Sequence, residues 1–332
     1  MTTKVGSKEA AAASRGGFLR RLFEQRELAI FLVVLIVAIA LNFASPNFLN
    51  KANLSALVLG LSFNAIVAVG MTILLISGGF DLSVGSSLAL AGAVAGYTMT
   101  KLDASAPVAV LFGLGTGAAV GLVNGLIIAK VGVNPLITTL GISQVARGAV
   151  FLLTSGLGIP NLPDSFNKMA QGKLFTLQFP IYIMIVVVVA GEILLRRWRF
   201  FRQSYFIGGN ERSARLSGIN VDQVKILNYV LMGVLAGLTG LLLTARMGTA
   251  SVSAGLGVEL QVISACVIGG ASLAGGEGSV LGSLLGVVLM ALILNGLNLL
   301  GINPYWQTIV IGGVLVLTAA ADALSRRRGT AK

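Results

Sequence analysis

Residues Leu54–Ser77 read LSALVLGLSFNAIVAVGMTILLIS, a run of 24 residues without a charged side chain. A helix of about 20 apolar residues is long enough to cross the hydrocarbon core of a bilayer, which is about 30 Å thick. Lipid offers no hydrogen-bond partners, so the backbone must satisfy its polar groups within the segment. The run is therefore predicted to be a transmembrane helix.

The composition of the whole chain agrees with this prediction. Hydrophobic residues make up 55% of the sequence, charged residues 11%, and the mean hydropathy is +0.91. A soluble domain carries about 25% charged residues. The 24 basic and 12 acidic side chains could not cover the core of a globule of 332 residues. The apolar surface is therefore expected to face lipid, in an all-α, polytopic membrane protein.

Ten segments are long or apolar enough to be predicted as transmembrane helices. They are Leu28–Ala44, Leu54–Ser77, Ser83–Thr100, Ala106–Ala129, Leu136–Ser155, Leu177–Leu195, Ile226–Arg246, Leu260–Leu273, Val280–Leu300 and Tyr305–Ala321. The glycine-rich junction at Gly78–Gly79 and the short eighth segment are candidates for broken helices.

The distribution of Lys and Arg predicts the orientation, because cytoplasmic loops carry an excess of basic residues. With ten spans and both termini inside, 18 of the 24 basic residues lie inside, five lie outside, and Arg147 lies within a span. The predicted organisation is a cytoplasmic segment over residues 1–27, a transmembrane domain over residues 28–322 with a cytoplasmic loop over residues 196–225, and a basic cytoplasmic tail over residues 323–332.

Several classes of function are disfavoured by what the sequence lacks. It has no histidine and one cysteine, Cys266, inside an apolar run. The commonest general base and metal ligand is therefore absent, and no metal site or enzyme activity is predicted. The net charge of +12 lies in short tracts between apolar runs, which favours membrane orientation over binding of nucleic acid.

The most informative cytoplasmic stretch runs from Ile207 to Asn220 and reads IGGNERSARLSGIN. Asn210 is a favourable N-cap residue, and Glu211 follows at the positive end of the helix dipole. Gly218 is a typical C-terminal stop. A helix of about two turns is predicted between them, and a helix this short requires a docking surface. The alternative is a helix lying on the membrane surface.

Polar side chains near the predicted spans are candidates for contact with a substrate. Asp81 follows the Gly78–Gly79 break, where it could cap the next helix or contact substrate. Neutral amides can exchange hydrogen bonds with hydroxyl groups, or can hold two helices together. The candidates for a substrate pathway are Asn64, Asp81, Ser83, Asn124, Gln144 and Asn295; Asn228 and Asn298 are further amides of this kind.

Four motifs, in the same order, resemble those of the ribose-type permeases of ABC sugar transporters. They are GFDLSVGS at 79–86, GGNE at 208–211 with ARLSGI at 214–219, GGASLAGG at 269–276, and NGLN at 295–298. The resemblance extends from about Leu54 to the C-terminus. It implies a permease subunit of the bacterial inner membrane that passes a monosaccharide or small polyol.

The resemblance also implies partners. The cytoplasmic motif would couple the permease to a separate ABC ATPase subunit, which binds ATP and Mg²⁺, and the chain itself would bind no cofactor. The coupling residues would be Gly208, Gly209, Asn210, Glu211, Ala214, Arg215, Leu216 and Gly218. A periplasmic sugar-binding protein would deliver the substrate, and a second permease copy, identical or paralogous, would complete the pathway.

The lack of a nucleotide site agrees with an ATPase on another chain, because no G-x-x-x-x-G-K-[ST] motif occurs. The alternative is a secondary transporter of a small polar solute, driven by an ion gradient. Such a transporter requires ionisable residues near the bilayer midplane. The chain offers few of these. An intramembrane enzyme is disfavoured, since no nucleophile and base stand out as a pair.

Overall fold

The computed structural model describes the backbone of residues 26–329 and the side chains of residues 27–324. The predicted N-terminal segment 1–27 and the basic side chains of the predicted tail therefore lie almost wholly outside the described residues. The described part contains thirteen α-helices and one two-stranded hairpin. The helices are α1 (Arg26–Ala44), α2 (Lys51–Ile76), α3 (Val84–Lys101), α4 (Ala106–Leu126), α5 (Pro135–Thr154), α6 (Asp164–Gln171), α7 (Phe179–Arg197), α8 (Arg199–Gly209), α9 (Glu211–Leu216), α10 (Val221–Met247), α11 (Val258–Ile268), α12 (Val280–Leu299) and α13 (Tyr305–Gly329).

Nine of the ten predicted spans coincide with a helix, the eighth overlaps one only in part, and the protein is an all-α polytopic membrane protein. Eight of the helices in the described residues are long and apolar enough to cross a bilayer: α1, α2, α4, α5, α7, α10, α12 and α13. Helix α4 continues as a π-helical turn over Ile127–Val131. Helix α3 has 18 residues and begins after the break at Gly78–Gly79.

The eighth predicted span, Leu260–Leu273, needs a correction. Helix α11 has 11 residues, so at 1.5 Å per residue it extends about 16 Å, half the thickness of the hydrocarbon core. It ends at Ile268 because Gly269 and Gly270 form a turn in which Gly270 has a φ of +94°.

The chain that precedes α11 enters the bundle alongside α3. Ala250 packs beside Gly96 of α3, whereas Gly255 packs against Gly85, about 16 Å away along the same helix. We call residues 248–257 the entry segment. Arg147 of α5 holds it, because its guanidinium donates to the carbonyls of Val252 at 2.8 Å and Ala254 at 3.0 Å. Non-helical backbone at membrane depth requires such burial in protein.

Helices α4 and α10 approach each other through glycines. Gly113, Gly117, Gly121 and Gly125 of α4 lie four residues apart, and a side chain at any of them would collide with α10. Gly117 faces the backbone of Gly233, for example. Small residues at this spacing let helix backbones approach closely in a membrane. The interface fixes α10, which in turn carries the segment α8–α9 at its N-terminal end.

Both described ends of the chain lie at the same end of the bundle. The carboxylate of Glu27, at the start of α1, accepts a hydrogen bond from Ser279 at 2.5 Å. The carboxylate of Asp322, in α13, accepts one from Ser272 at 3.1 Å. Both serines belong to the turn between α11 and α12, which also contacts α8. This arrangement agrees with an even number of membrane crossings.

The opposite end carries the loop over residues 156–176, which has its own structure. Helix α6 is followed by strands β1 (Lys173–Leu174) and β2 (Leu177–Gln178), which pair antiparallel. Gln171 donates to the carbonyls of Ala245 and Arg246, both at 3.1 Å. The loop is thereby attached to the end of α10.

Candidate functional site

The short helix α9 has the ends that its sequence predicts. The side chain of Asn210 accepts a hydrogen bond from the amide of Ser213 at 2.9 Å, as an N-cap does. At the other end Gly218 has a φ of +82°, and the amides of Gly218 and Ile219 donate to the carbonyls of Arg215 and Ala214, both at 3.1 Å. This pattern is a Schellman motif. Both ends of a helix of six residues are thus closed.

An ion-pair network attaches α9 to its neighbours. Glu211 binds Lys225 at 2.6 Å and Arg215 at 3.0 Å. Arg215 also binds Asp222 at 2.8 Å, and Asp222 binds Lys130 at 3.2 Å. The network links α9 to the first turns of α10 and to the end of α4. A network of several charges holds a geometry better than one isolated surface pair.

The network sets the charge of Glu211. Desolvation raises the pKa of this carboxyl, but the hydrogen bonds from Lys225 and Arg215, together with their positive charges, outweigh it. The pKa is lowered from its ordinary value of 4.5. Hydrogen bonds to Asp222 and Glu211 raise the pKa of Arg215. Both groups are therefore firmly ionised at neutral pH.

One face of α9 is left open. Leu216 is 83% exposed, and Arg212, four residues earlier on the same face, makes no ion pair within the described residues. Ala214 is buried instead, against Ile207 and Val221. We call Arg212 and Leu216 the open face of α9. Exposed leucine beside an unpaired cation is a surface suited to a protein partner.

The resemblance names Glu211, Arg215 and Leu216 among the coupling residues. The structure places Glu211 and Arg215 in the ion-pair network, with partly exposed side chains, and leaves Leu216 open. Arg212 was not named. The two faces of α9 could have been predicted from the sequence, because residues four apart share a face of a helix. Glu211 pairs in this way with Arg215, and Arg212 with Leu216.

Helix α8 joins α9 to the bundle through a glycine junction, formed by Gly208, Gly275 and the backbone of Ile76 and Gly276. The amide of Gly276 donates to the carbonyl of Ile76 at 2.9 Å. A side chain at Gly208 would collide with both partners of that hydrogen bond, and Gly275 lies against Gly208. The end of α2, the end of α8 and the turn after α11 therefore meet at one point without side chains between them.

Two further hydrogen bonds fix α8 in this position. The hydroxyl of Tyr205 donates to the carbonyl of Gly278 at 2.8 Å. The amide of Asn228, on α10, donates to the hydroxyl of Ser204 at 3.0 Å. Asn228, a candidate for substrate contact, is thus fully buried and serves the contact between α8 and α10.

Three of the pathway candidates form a closed cluster. The carboxylate of Asp81 accepts hydrogen bonds from the amide of Ser83 at 2.7 Å and from its hydroxyl at 2.6 Å. Asn124 donates to the hydroxyl of Ser83 at 2.9 Å. All three side chains are at most 2% exposed. The geometry attaches the start of α3 to α4 and agrees with a capping role for Asp81.

The other three candidates lie elsewhere. Asn64 and Asn295 line one groove between α2, α11, α12 and α13. Gln144 is exposed on α5, among apolar neighbours. The structure therefore separates the six candidates into a buried cluster, a groove and one isolated amide. Within the described residues, no three side chains of the metal-binding types His, Cys, Asp or Glu come together.

Known proteins resemble this chain over most of its length. A family model described as "Branched-chain amino acid transport system / permease component" matches residues 53–319. The ribose import permease protein of Escherichia coli (strain K12) is 42% identical over 305 residues, which cover 91% of this chain and 94% of the relative.

Further relatives have other sugars in their names. The galactose/methyl galactoside import permease protein of Escherichia coli (strain K12) is 34% identical, with 96% of this chain and 99% of the relative covered. The L-arabinose transport system permease protein of the same strain is 35% identical, with 97% of each chain covered. No solved structure matches. These matches show a transport subunit rather than an enzyme, and the chain belongs to the ribose-type family of ABC sugar permeases.

Proposed function

We propose that this permease imports a monosaccharide or a related small polyol across the bacterial inner membrane, coupled to a separate ATPase through the open face of α9. The relatives are named for ribose, galactose or methyl galactoside, and L-arabinose, which supports a sugar of this size. The observation that carries the coupling role is the geometry of α9. Both ends of the helix are capped, and its open face, Arg212 and Leu216, takes no part in the ion-pair network of Glu211 and Arg215.

In this proposal Leu216 enters an apolar groove of the ATPase, and Arg212 pairs with an acidic group beside it. Binding of α9 to the ATPase would be weak if the helix became ordered only at the interface, because ordering each residue costs roughly 1–2 kcal/mol. The caps and the network of Glu211 order it in advance. The same contacts make α9 rigid enough to transmit a displacement.

The glycine junction offers a route for that displacement. A shift of α9 moves α8, and α8 contacts both the end of α2 and the turn after α11 through Gly208. Nucleotide binding would favour one of two arrangements of the bundle through different contacts at α9 in each. Backbone packed directly against backbone leaves little space to absorb the motion.

The orientation follows from the same surfaces. Lys130, Arg196 and Arg197 lie at the end of the bundle that carries α9. Basic residues mark the cytoplasmic side, which is where an ATPase finds its nucleotide. A sugar-binding protein would then meet the opposite end, and a second permease copy would complete the translocation pathway.

A reconstitution tests the proposal. The permease is purified with its candidate ATPase and binding protein, and uptake of ribose, galactose and L-arabinose into vesicles is measured with and without ATP. ATP-dependent uptake of one of these sugars is expected. Uptake that needs no ATPase and collapses with the ion gradient would instead identify a secondary transporter.

The role of α9 has its own matched pair of variants. Leu216→Asp is expected to abolish co-purification of the ATPase and to reduce ATP-driven uptake to background. Leu157→Asp changes a leucine that is 92% exposed in the loop at the opposite end, and it should leave co-purification of the ATPase unchanged. Retention of the ATPase by Leu216→Asp would contradict the coupling role.

A further inference from the structure

A groove lined by amide side chains runs along the bundle from the end opposite α9. Its volume is about 340 Å³, within the range of about 300–1,000 Å³ typical of small-molecule sites. The amides come from four helices and are Asn64, Gln261, Asn295, Asn298 and Gln307. The remaining lining residues are glycine, alanine and leucine, and none is charged.

The groove extends from one end of the bundle to its middle. Asn298 and Gln307 flank the turn between α12 and α13, and Asn295 lies one turn further along α12. Asn64 is near the middle of α2, and Gln261 is in the first turn of the half-helix α11. The inner end of the groove is thus lined by two amides, at about the depth where the entry segment ends.

The amides differ in what already binds them. Asn295 and Asn53 exchange two hydrogen bonds, at 2.8 and 3.2 Å, and Gln307 donates to Asn298 at 2.8 Å. The side chains of Asn64 and Gln261 make no hydrogen bond within the part of the chain that the structure describes. Each has a donor and an acceptor group available. The inner end of the groove is the end with unused hydrogen-bonding capacity.

Such a surface does not suit contact with lipid. Polar groups at membrane depth face a bundle interior or a water-filled cavity, because hydrocarbon leaves them without partners. A neutral lining that both donates and accepts matches a solute whose polar groups are hydroxyls. It offers no counter-charge to an amino acid or a phosphate.

We propose that this groove is part of the sugar route, with Asn64 and Gln261 as the side chains that exchange hydrogen bonds with the hydroxyls of the solute. The proposal rests on the proposed transport function. Asn298 and Gln307 form its outer entrance. Gln261 has a special position, because α11 runs from the groove at one end to the turn that contacts Gly208 at the other. A shift at the glycine junction therefore moves a residue of the route.

Substituted cysteines test whether the groove is an aqueous route. The native Cys266 is fully buried and is replaced by alanine in the background. Gln261→Cys and Asn298→Cys are expected to react with a charged, membrane-impermeant thiol reagent in the assembled transporter. Val186→Cys, on an exposed apolar position of α7, should not react. If Gln261→Cys is as unreactive as Val186→Cys, the groove is not a water-filled route and the proposal fails.

Transport kinetics test the contacts with sugar. Asn64→Leu and Gln261→Leu keep the size of the side chain and remove its hydrogen bonds. We expect each to lower ATP-driven sugar uptake about three- to tenfold, the loss typical of one neutral hydrogen bond. ATPase binding should be unchanged. Asn47→Leu, at an exposed amide of the loop between α1 and α2 and outside the groove, is the control and should transport as the wild type does.

The outcomes separate this proposal from the function on which it rests. Wild-type uptake that is independent of ATP contradicts the coupling to an ATPase, while the thiol labelling still decides on the groove. ATP-driven uptake that is unaffected by both leucine variants contradicts the contacts proposed here and leaves the permease function intact. Loss of assembly in these variants, seen by size-exclusion chromatography, would make the amides an interface between subunits and would overturn the route.

Discussion

The amide of Gly276 donates a hydrogen bond of 2.9 Å to the carbonyl of Ile76, the last residue of α2. This bond closes the break between α2 and α3 against the turn between α11 and α12. Gly208 packs onto it from the cytoplasmic segment. Three chain segments far apart in sequence are therefore held together by backbone alone, at the point where α9 joins the bundle.

Gly208→Ala is expected to disturb this junction, because its Cβ would collide with the carbonyl of Ile76 and the amide of Gly276. Overpacking of this kind costs about 1–3 kcal/mol. Gly209→Ala is the matched control, since a Cβ there meets nothing within 4 Å. The measurements are thermal unfolding in detergent and sugar-stimulated ATP hydrolysis. Gly208→Ala should impair both, and equal behaviour of the two variants would contradict a tight junction.

The buried cluster of Asp81, Ser83 and Asn124 is expected to stabilise the bundle. Asn124→Ala removes one hydrogen bond to the hydroxyl of Ser83, which keeps Asp81 as its acceptor, and the loss of one such hydrogen bond costs about 0.5–1.5 kcal/mol. The unfolding midpoint should fall, while the sugar concentration for half-maximal uptake stays the same. A selective change in that concentration at unchanged stability would instead place the cluster on the substrate pathway, as the sequence also allowed.

The network at α9 predicts a dependence on pH. The pKa of Glu211 is lowered in the folded chain, so its contribution is fully present above the ordinary value of 4.5. It is lost as the pH falls through the lower, folded value. Titration of this group should therefore leave ATPase binding independent of pH near neutrality and should weaken binding in acid. Glu211→Gln should weaken binding already at neutral pH and reduce the acid dependence, as measured by co-purification over a pH series.

Arg147 is expected to hold the entry segment in place. Arg147→Leu removes its two hydrogen bonds to the carbonyls of Val252 and Ala254 and leaves those carbonyls without this donor. Hydrogen bonds from a charged group contribute about 1.5–3 kcal/mol each. The unfolding temperature should decrease, and proteolytic cleavage within residues 248–257 should become faster. Arg147→Lys, which keeps a charge and a donor, should restore part of the loss; equal loss in both variants would count against the two carbonyls as its partners.

Much of this architecture could be predicted from the sequence because the bilayer constrains it. Apolar length alone located the eight helices that are long enough to span and also α3, although it made the short α11 too long, and the distribution of basic residues predicted that the two described ends of the chain lie at the same end of the bundle. Asn210 and Gly218 predicted the ends of α9 because capping depends on local sequence. Family membership was predicted from four ordered motifs and is confirmed by the comparisons.

The features that escaped prediction depend on distant contacts. Residues 248–257 carry no periodic signal, and their path into the bundle is fixed by Gly85 and Arg147, which come more than a hundred residues earlier. Gly115 lies in the same glycine run as Gly113 and Gly117, yet it packs against nothing, since it falls off the face that repeats every four residues. Gln261 and Gln307 were not selected because their place in the groove follows from how α11 and α13 meet α2.

The half-helix α11 also bears on how the protein meets its lipid environment. Its residues from Val262 to Val267, six of the eleven, are buried in protein. Helices that face lipid are held to the thickness of the bilayer by hydrophobic mismatch. Helix α11 does not span the membrane by itself, so its displacement along the membrane normal would change contact with acyl chains less than the same displacement of a full-length span. The element that connects the glycine junction to the groove is therefore less constrained by membrane thickness and lipid composition than the helices around it.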